Sequence, residues 1–127
     1  MVKKDIQERT LNFSIRIVNL CKFLREHGGT GYDISKQLIR SGTSIGANVE
    51  EAQNAESKPD FIHKMSISLK EARETSYWLK ILISTEQQLE PRLLPLLNEC
   101  NELISILYAI PKTVKIILNS SFLILHS

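Results

Sequence analysis

Ile34-Ser35-Lys36-Gln37-Leu38-Ile39-Arg40-Ser41-Gly42-Thr43-Ser44-Ile45-Gly46-Ala47-Asn48-Val49-Glu50-Glu51-Ala52 places Ile34, Leu38, Ser41, Ile45, Asn48 and Ala52 at alternating four- and three-residue steps. Ala55 extends the series, so the spacing predicts a helix over 33–55 carrying a heptad stripe. The middle of that stripe is small or polar. Gly42 and Gly46 stand four apart beside it, and with Ser41, Ser44 and Ala47 they make a flat surface on which a second backbone can lie close. Each Gly inside a helix costs about 1 kcal/mol relative to Ala. Two such losses in one turn are expected where packing against another helix offsets them, and a loop is the competing reading. Ser41, Gly42, Ile45 and Gly46 are accordingly the expected helix-packing or interface residues.

Upstream, Ile6, Phe13, Ile17, Leu20 and Leu24 line one face of a predicted helix over 5–27, which Gly28-Gly29-Thr30-Gly31 ends. Leu11, Ile15 and Val18 add an adjoining apolar stripe. That breadth exceeds what one neighbouring helix covers, so part of it is expected to meet another part of the bundle or another subunit. Downstream, Ser57-Lys58-Pro59-Asp60 reads as a helix start, with Ser57 as cap and Pro59 tolerated in the first turn. The helix it opens, 59–85, has Phe61, Met65, Leu69, Ala72, Ser76, Leu79 and Ile83 on its inner face. Glu90-Pro91 breaks the chain again. Leu93, Leu97, Cys100, Ile104, Leu107, Val114 and Leu118, widened by Leu96, Leu103, Ile110 and Ile117, then predict a fourth helix over 92–118. Pro111 on this stripe removes a backbone hydrogen bond at a cost of ~3 kcal/mol in a straight helix, which predicts a kink or an early stop. The tail 119–127, with Phe122-Leu123-Ile124-Leu125, is too apolar to hang in water and is expected to dock on the bundle, to meet a neighbour or to be disordered.

Four helices of similar length with short connections predict an all-α, antiparallel up-down-up-down four-helix bundle, a single domain over 1–127. A chain of 127 residues buries roughly two-thirds of its unfolded surface, enough for its own core. Only 5 Gly and 4 Pro argue against a turn-rich β architecture. The uncharged runs, Leu103 to Pro111 and Ile116 to Ser127, fall short of the ~20 residues a membrane helix needs, so no transmembrane segment is expected. Asp5, Glu8, Arg9 and Arg16 interrupt any apolar signal core, which makes the cytoplasm the expected location.

The chemistry-bearing residues do not assemble into a reaction centre. A di-iron site in such a bundle needs inward Glu residues and two Glu-x-x-His pairs, whereas this chain offers Asp60-x-x-His63, with His27 and His126 near helix ends. Cys21 and Cys100 lack the paired spacing of a zinc or redox motif and fall on apolar faces, as small core residues do. Ser41, Thr43 and Ser44 have no base tied to them by pattern, and Gly28-Gly29-Thr30-Gly31 lacks the Lys-Ser/Thr ending of a phosphate loop. Glu71, Arg73 and Glu74 fit ion pairs within or between helices. Neither catalysis nor a metal or cofactor is expected.

Charge is distributed unevenly. Residues 1–27 carry six Lys or Arg against three acids, while 32–57 carry two against four. Arg9, Arg16, Lys22 and Arg25 on the first helix, with Lys36 and Arg40 opening the second, suit a phosphate-binding surface, of which Arg16, Lys22, Lys36 and Arg40 are the expected contacts. The competing reading is a solvated helix face.

The run Ser35 to Ala52, followed by Asp60-Phe61-Ile62, Lys70-Glu71-Ala72-Arg73-Glu74-Thr75 and Tyr77-Trp78-Leu79, resembles the four-helix-bundle family encoded in intervening sequences of bacterial large-subunit ribosomal RNA genes. The resemblance covers about Phe13 to Leu107. That family is similar in turn to the accessory variability protein of diversity-generating retroelements, which forms a ring-like homopentamer, binds nucleic acid and engages a reverse transcriptase. The resemblance implies a homo-oligomer, pentameric by analogy, with no enzymatic activity, whose basic face binds RNA or DNA and whose partners include a reverse transcriptase. A protein-interaction scaffold that touches no nucleic acid is the alternative.

Overall fold

The computed structural model describes the backbone of residues 2–126 and the side chains of residues 5–114. Helices α1 (Val2–His27), α2 (Gly29–Gln53), α3 (Lys58–Thr85) and α4 (Glu90–His126) follow one another, and a 3-10 turn, Gln87–Leu89, leads into α4. There is no strand among the described residues, and the four helices pack as a bundle.

The first connection is tighter than the glycine run suggests. Gly28 and Gly29 take φ of 69° and 66°, a left-handed conformation that strains other residues, and Gly28 N–H still donates to the Leu24 carbonyl at 3.2 Å. The reversal is thereby confined to Gly28 and Gly29, and Thr30 and Gly31 join the first turn of α2 instead of the loop. At its other end α2 stops at Gln53, short of Ala55, because Asn54 and Ala55 donate to Glu51 and Ala52, three residues back, and tighten the last turn out of α geometry. Ser57 caps α3 as expected: its hydroxyl oxygen accepts from the Asp60 N–H at 3.2 Å.

Neighbouring helices run in opposite directions. Ser41 and Ile45 of α2 meet Thr75 and Ser68 of α3, Cys21 of α1 meets Ser35 of α2, and Arg9 and Phe23 of α1 meet Glu99 and Arg92 of α4. The core holds Ile6, Phe13, Ile17, Leu20 and Leu24 from α1, with Leu38, Ile45 and Val49 from α2. Met65, Leu79 and Leu82 enter from α3, and Leu93, Leu96, Leu103 and Leu107 from α4. Several expected core positions shift: Phe61, Leu69, Ile83, Leu97 and Ile104 are only partly buried against the core, while Leu82 is fully buried. Asn48 is half-buried and turns its amide back to the Ser44 carbonyl at 2.8 Å, while Val49 is fully buried. The cause is that α2 lies between α1 and α3, so Ser35, Leu38, Gly42, Ile45, Val49 and Ala52 form a second covered stripe beside the first.

The early stop expected at Pro111 does not occur: α4 continues through it to His126, with Pro111 buried. Proline removes the hydrogen bond its own N–H would make, and the residues after it still donate in register. The expectation for the side chains of the tail 119–127 lies outside the described residues. The segment Gln87–Val114 is long and apolar enough to cross a membrane by length and composition, although no uncharged run in it reaches that length. In the bundle its stripe of Leu93, Leu96, Cys100, Leu103 and Leu107 is core. Leu11 and Ile15, by contrast, are 58% and 50% exposed.

Candidate nucleic-acid interface

The four cations singled out for phosphate contact do not share one surface. Arg40 has to be removed from the open set. Its guanidinium donates to Glu71 Oε2 at 3.1 Å and also to Glu74, tying α2 to α3, and Glu74 in turn accepts from Trp78 Nε1 at 3.1 Å. A cation balanced by two carboxylates of its own fold presents little net charge to a phosphate. Glu71 and Glu74 are thus structural ion-pair partners, with Arg40 and not Arg73 as their cation.

Arg9 leaves the basic face for the same reason. Its Nη2 and Nε donate to the two carboxylate oxygens of Glu99 at 2.7 and 3.1 Å, a bidentate fork across the α1–α4 seam, and Glu102 adds a 3.4 Å contact. The hydrogen bond with Glu99 is the main cause that raises the Arg9 pKa above its ordinary value.

Arg16, Lys22, Arg25 and Lys36 form no ion pair with any described residue. Arg16 and Lys22 are six residues apart on α1, which turns them about 120° from each other around the helix. Lys22 stands beside Lys36: Cys21 Sγ donates to the Ser35 carbonyl at 3.4 Å, so the next residue on each helix lies on the outer side of the same α1–α2 seam. Lys36 sits 5.3 Å from the centroid of the exposed Tyr32 ring. Arg16 lies on another side of α1, where it lines a cleft of about 180 Å³ with Asn19, Leu20, Arg92 and Leu96. Arg92, which sequence reasoning passed over, stacks its guanidinium 4.0 Å from the centroid of Phe23. A signal for it exists only once the α1–α4 register is known.

The small-residue set divides between two neighbours. Gly42 and Gly46 face α1, where a Cβ on Gly42 would lie 2.8 Å from Ile17 Cγ2 and one on Gly46 would lie 3.2 Å from the Thr10 carbonyl oxygen. Ser41 and Ile45 face α3: Ser41 Oγ accepts from Thr75 Oγ1 at 2.9 Å, and the Ile45 carbonyl accepts from Ser68 Oγ at 2.7 Å. The close approach that the two glycines permit is therefore made inside the chain.

The remaining polar groups are occupied by the fold. Thr43 and Ser44 donate to carbonyls one turn back, at 2.5 and 2.6 Å. Burial pushes the thiol of Cys21 up to about 11 and that of Cys100 up to about 12, far from the thiolate a nucleophile needs. Among the described residues no three His, Cys, Asp or Glu side chains gather as a metal site would require.

Known proteins place the chain further. A family model described as 23S rRNA-intervening sequence protein matches residues 3–109. The fold is similar to the crystal structure of a protein of unknown function from the S23 ribosomal protein family of Bacteroides thetaiotaomicron VPI-5482. That likeness has a TM-score of 0.80 and 44% identity, covering 88% of this chain and 99% of the other. No curated protein matches. A match over residues 3–109, taking in α1 to α3 and the first half of α4, together with that shared fold, means that this chain belongs to the 23S rRNA-intervening sequence protein family.

Proposed function

We propose that this protein is a non-catalytic, cytoplasmic homo-oligomer that binds RNA or DNA by its phosphates, as an accessory factor. The observation that carries the reading is the sorting of cations: Arg9, Arg40 and Lys64 are held in ion pairs, while Arg16, Lys22, Arg25 and Lys36 stay open. Open cations, Lys22 and Lys36 along the α1–α2 seam and Arg16 on the α4 side of α1, raise the local potential and attract a polyanion without reading its sequence. Assembly is supported by exposed Leu11 and Ile15, which give a second copy apolar surface to cover, and the pentamer follows from the family resemblance alone.

Binding of a single-stranded oligonucleotide, measured across a salt series, tests the reading. Each phosphate neutralised contributes about −0.7 to the slope of log affinity against log salt, so three contacts give about −2. The variant Arg16→Ala/Lys22→Ala/Lys36→Ala is expected to lose binding while remaining helical. Arg40→Ala is expected to lose stability and to keep the slope, because its charge is spent inside the bundle. A salt-insensitive interaction, or none at micromolar protein, overturns the proposal.

A second reading rests on the same exposed Leu11 and Ile15: a scaffold that presents this face to a protein partner, of which a reverse transcriptase is the kind the resemblance implies. Co-purification with a partner that survives nuclease treatment, by wild type but not by Leu11→Arg, supports it.

A further inference from the structure

Two contacts fix which residues share the outer side of the α1–α2 seam near its Gly28 end. Cys21 Sγ donates to the Ser35 carbonyl, and one turn further along α1 the Gly31 backbone lies on Leu24, where a Cβ on the glycine would come 3.0 Å from Leu24 Cδ2. Each helix turns about 100° per residue, and antiparallel neighbours turn in mirrored senses across their seam. The residue after each contact residue therefore lies on the same outer side. Lys22 and Lys36 follow the first contact, and Arg25 and Tyr32 follow the second.

All four of these residues are exposed. Lys36 Nζ stands 5.3 Å from the centroid of the Tyr32 ring, which keeps 43% of the residue open. Among the described residues no aromatic ring packs on Tyr32, and its hydrogen bond is made by its carbonyl, which accepts from Ser35 Oγ at 2.6 Å. Lys22, Arg25 and Lys36 form no ion pair with any described residue, although Glu26 and Asp33 stand exposed on the same two helices. Arg16, on another side of α1, does not belong to this patch. A lone exposed tyrosine is ordinary on a protein surface. An open ring set among three unpaired cations has the two elements that hold a single strand, since cations follow the phosphates and an aromatic face receives a base.

We infer that Tyr32 is a stacking platform for one base, with Lys22, Arg25 and Lys36 holding the neighbouring phosphates, so that the patch takes a single-stranded stretch of RNA or DNA in preference to a duplex. Lys36 covers at most one face of the ring, which leaves the other for a base. In a duplex both faces of each internal base are already stacked on its neighbours, so the ring gains nothing there, whereas a single strand can splay a base outward. Every base has a π-face, so stacking on Tyr32 is sequence-tolerant, in keeping with the nucleic-acid reading given above, on which this rests.

The test uses oligouridylate, oligothymidylate, an abasic strand of equal length and the duplex of oligothymidylate with oligodeoxyadenylate. The wild type is expected to bind the base-bearing strands about 10-fold more tightly than the abasic strand, the effect of one base stacked on an aromatic ring. Tyr32→Leu is expected to lose that advantage while remaining helical, to keep the salt slope because no charge is removed, and to leave duplex affinity unchanged. Tyr32→Phe is expected to keep the advantage. An advantage seen with only one of the two sugars supports the platform and names the strand. Equal affinity of wild type for base-bearing and abasic strands, or an equal loss on strand and duplex in Tyr32→Leu, overturns the platform and leaves the nucleic-acid reading intact. Absence of binding to every probe overturns both.

Discussion

Gly42 lies against Ile17 so closely that a Cβ on the glycine would sit 2.8 Å from Ile17 Cγ2. Ile17 is fully buried and β-branched, so its methyl cannot swing aside without disturbing the core around it. Gly42→Ala is expected to destabilise the protein by about 1–3 kcal/mol through overpacking, despite the ~1 kcal/mol that helix propensity returns. Gly46→Ala meets the Thr10 carbonyl oxygen at 3.2 Å, a milder contact, and is expected to fall within about 1 kcal/mol of wild type. Denaturant titration of both variants checks the order, and a more stable Gly42→Ala protein contradicts the close helix approach.

Arg9 and Glu99 hold the α1–α4 seam by a forked pair that is only partly shielded, at 27% and 20% side-chain exposure. A double-mutant cycle with Arg9→Ala and Glu99→Ala is expected to give a coupling of about 1 kcal/mol, falling as salt is raised. Zero coupling at low salt rules the pair out as a fastener.

Both thiols stay neutral in the fold well above their ordinary value near 9. In the unfolded chain they ionise near that value, so above it the unfolded state sheds protons first and the fold loses stability as pH rises. The loss is expected to begin near pH 9 and to run on toward about 11 for Cys21 and about 12 for Cys100. Denaturation of wild type against Cys21→Ala/Cys100→Ala between pH 8 and 11 isolates the thiol contribution from that of other groups. Parallel pH profiles contradict it.

Leu11 and Ile15 are expected to lie at a contact between copies. Ile15→Asp is predicted to lower the mass measured by light scattering and to leave helicity unchanged, because the residue lies outside the buried core with half of its surface open. A wild-type protein that is monomeric at every concentration removes this role.

Most of the helix pattern is legible residue by residue. The apolar steps of α1, the Ser57 cap with Pro59 behind it, the buried thiols and the small-residue pair at Gly42 and Gly46 all follow from rules that act over a few neighbouring residues. Such signals report how each helix forms and which side it must hide. The step from Asn48 to Val49 was harder to read because α2 hides two adjoining sides at once, and one stripe masks the other.

Charge follows a different logic. Arg9, Arg16 and Arg40 look alike along the chain, and what separates them is whether a carboxylate partner lies in reach, 90 residues away for Arg9 and 31 for Arg40. Glu99 neutralises the first, Glu71 with Glu74 absorbs the third, and the second forms no ion pair with a described residue. Periodicity makes the helices, but the register in which α1 meets α4 and α2 meets α3 sets which cations remain for a phosphate. Register depends on how whole faces interlock, and no local spacing contains it.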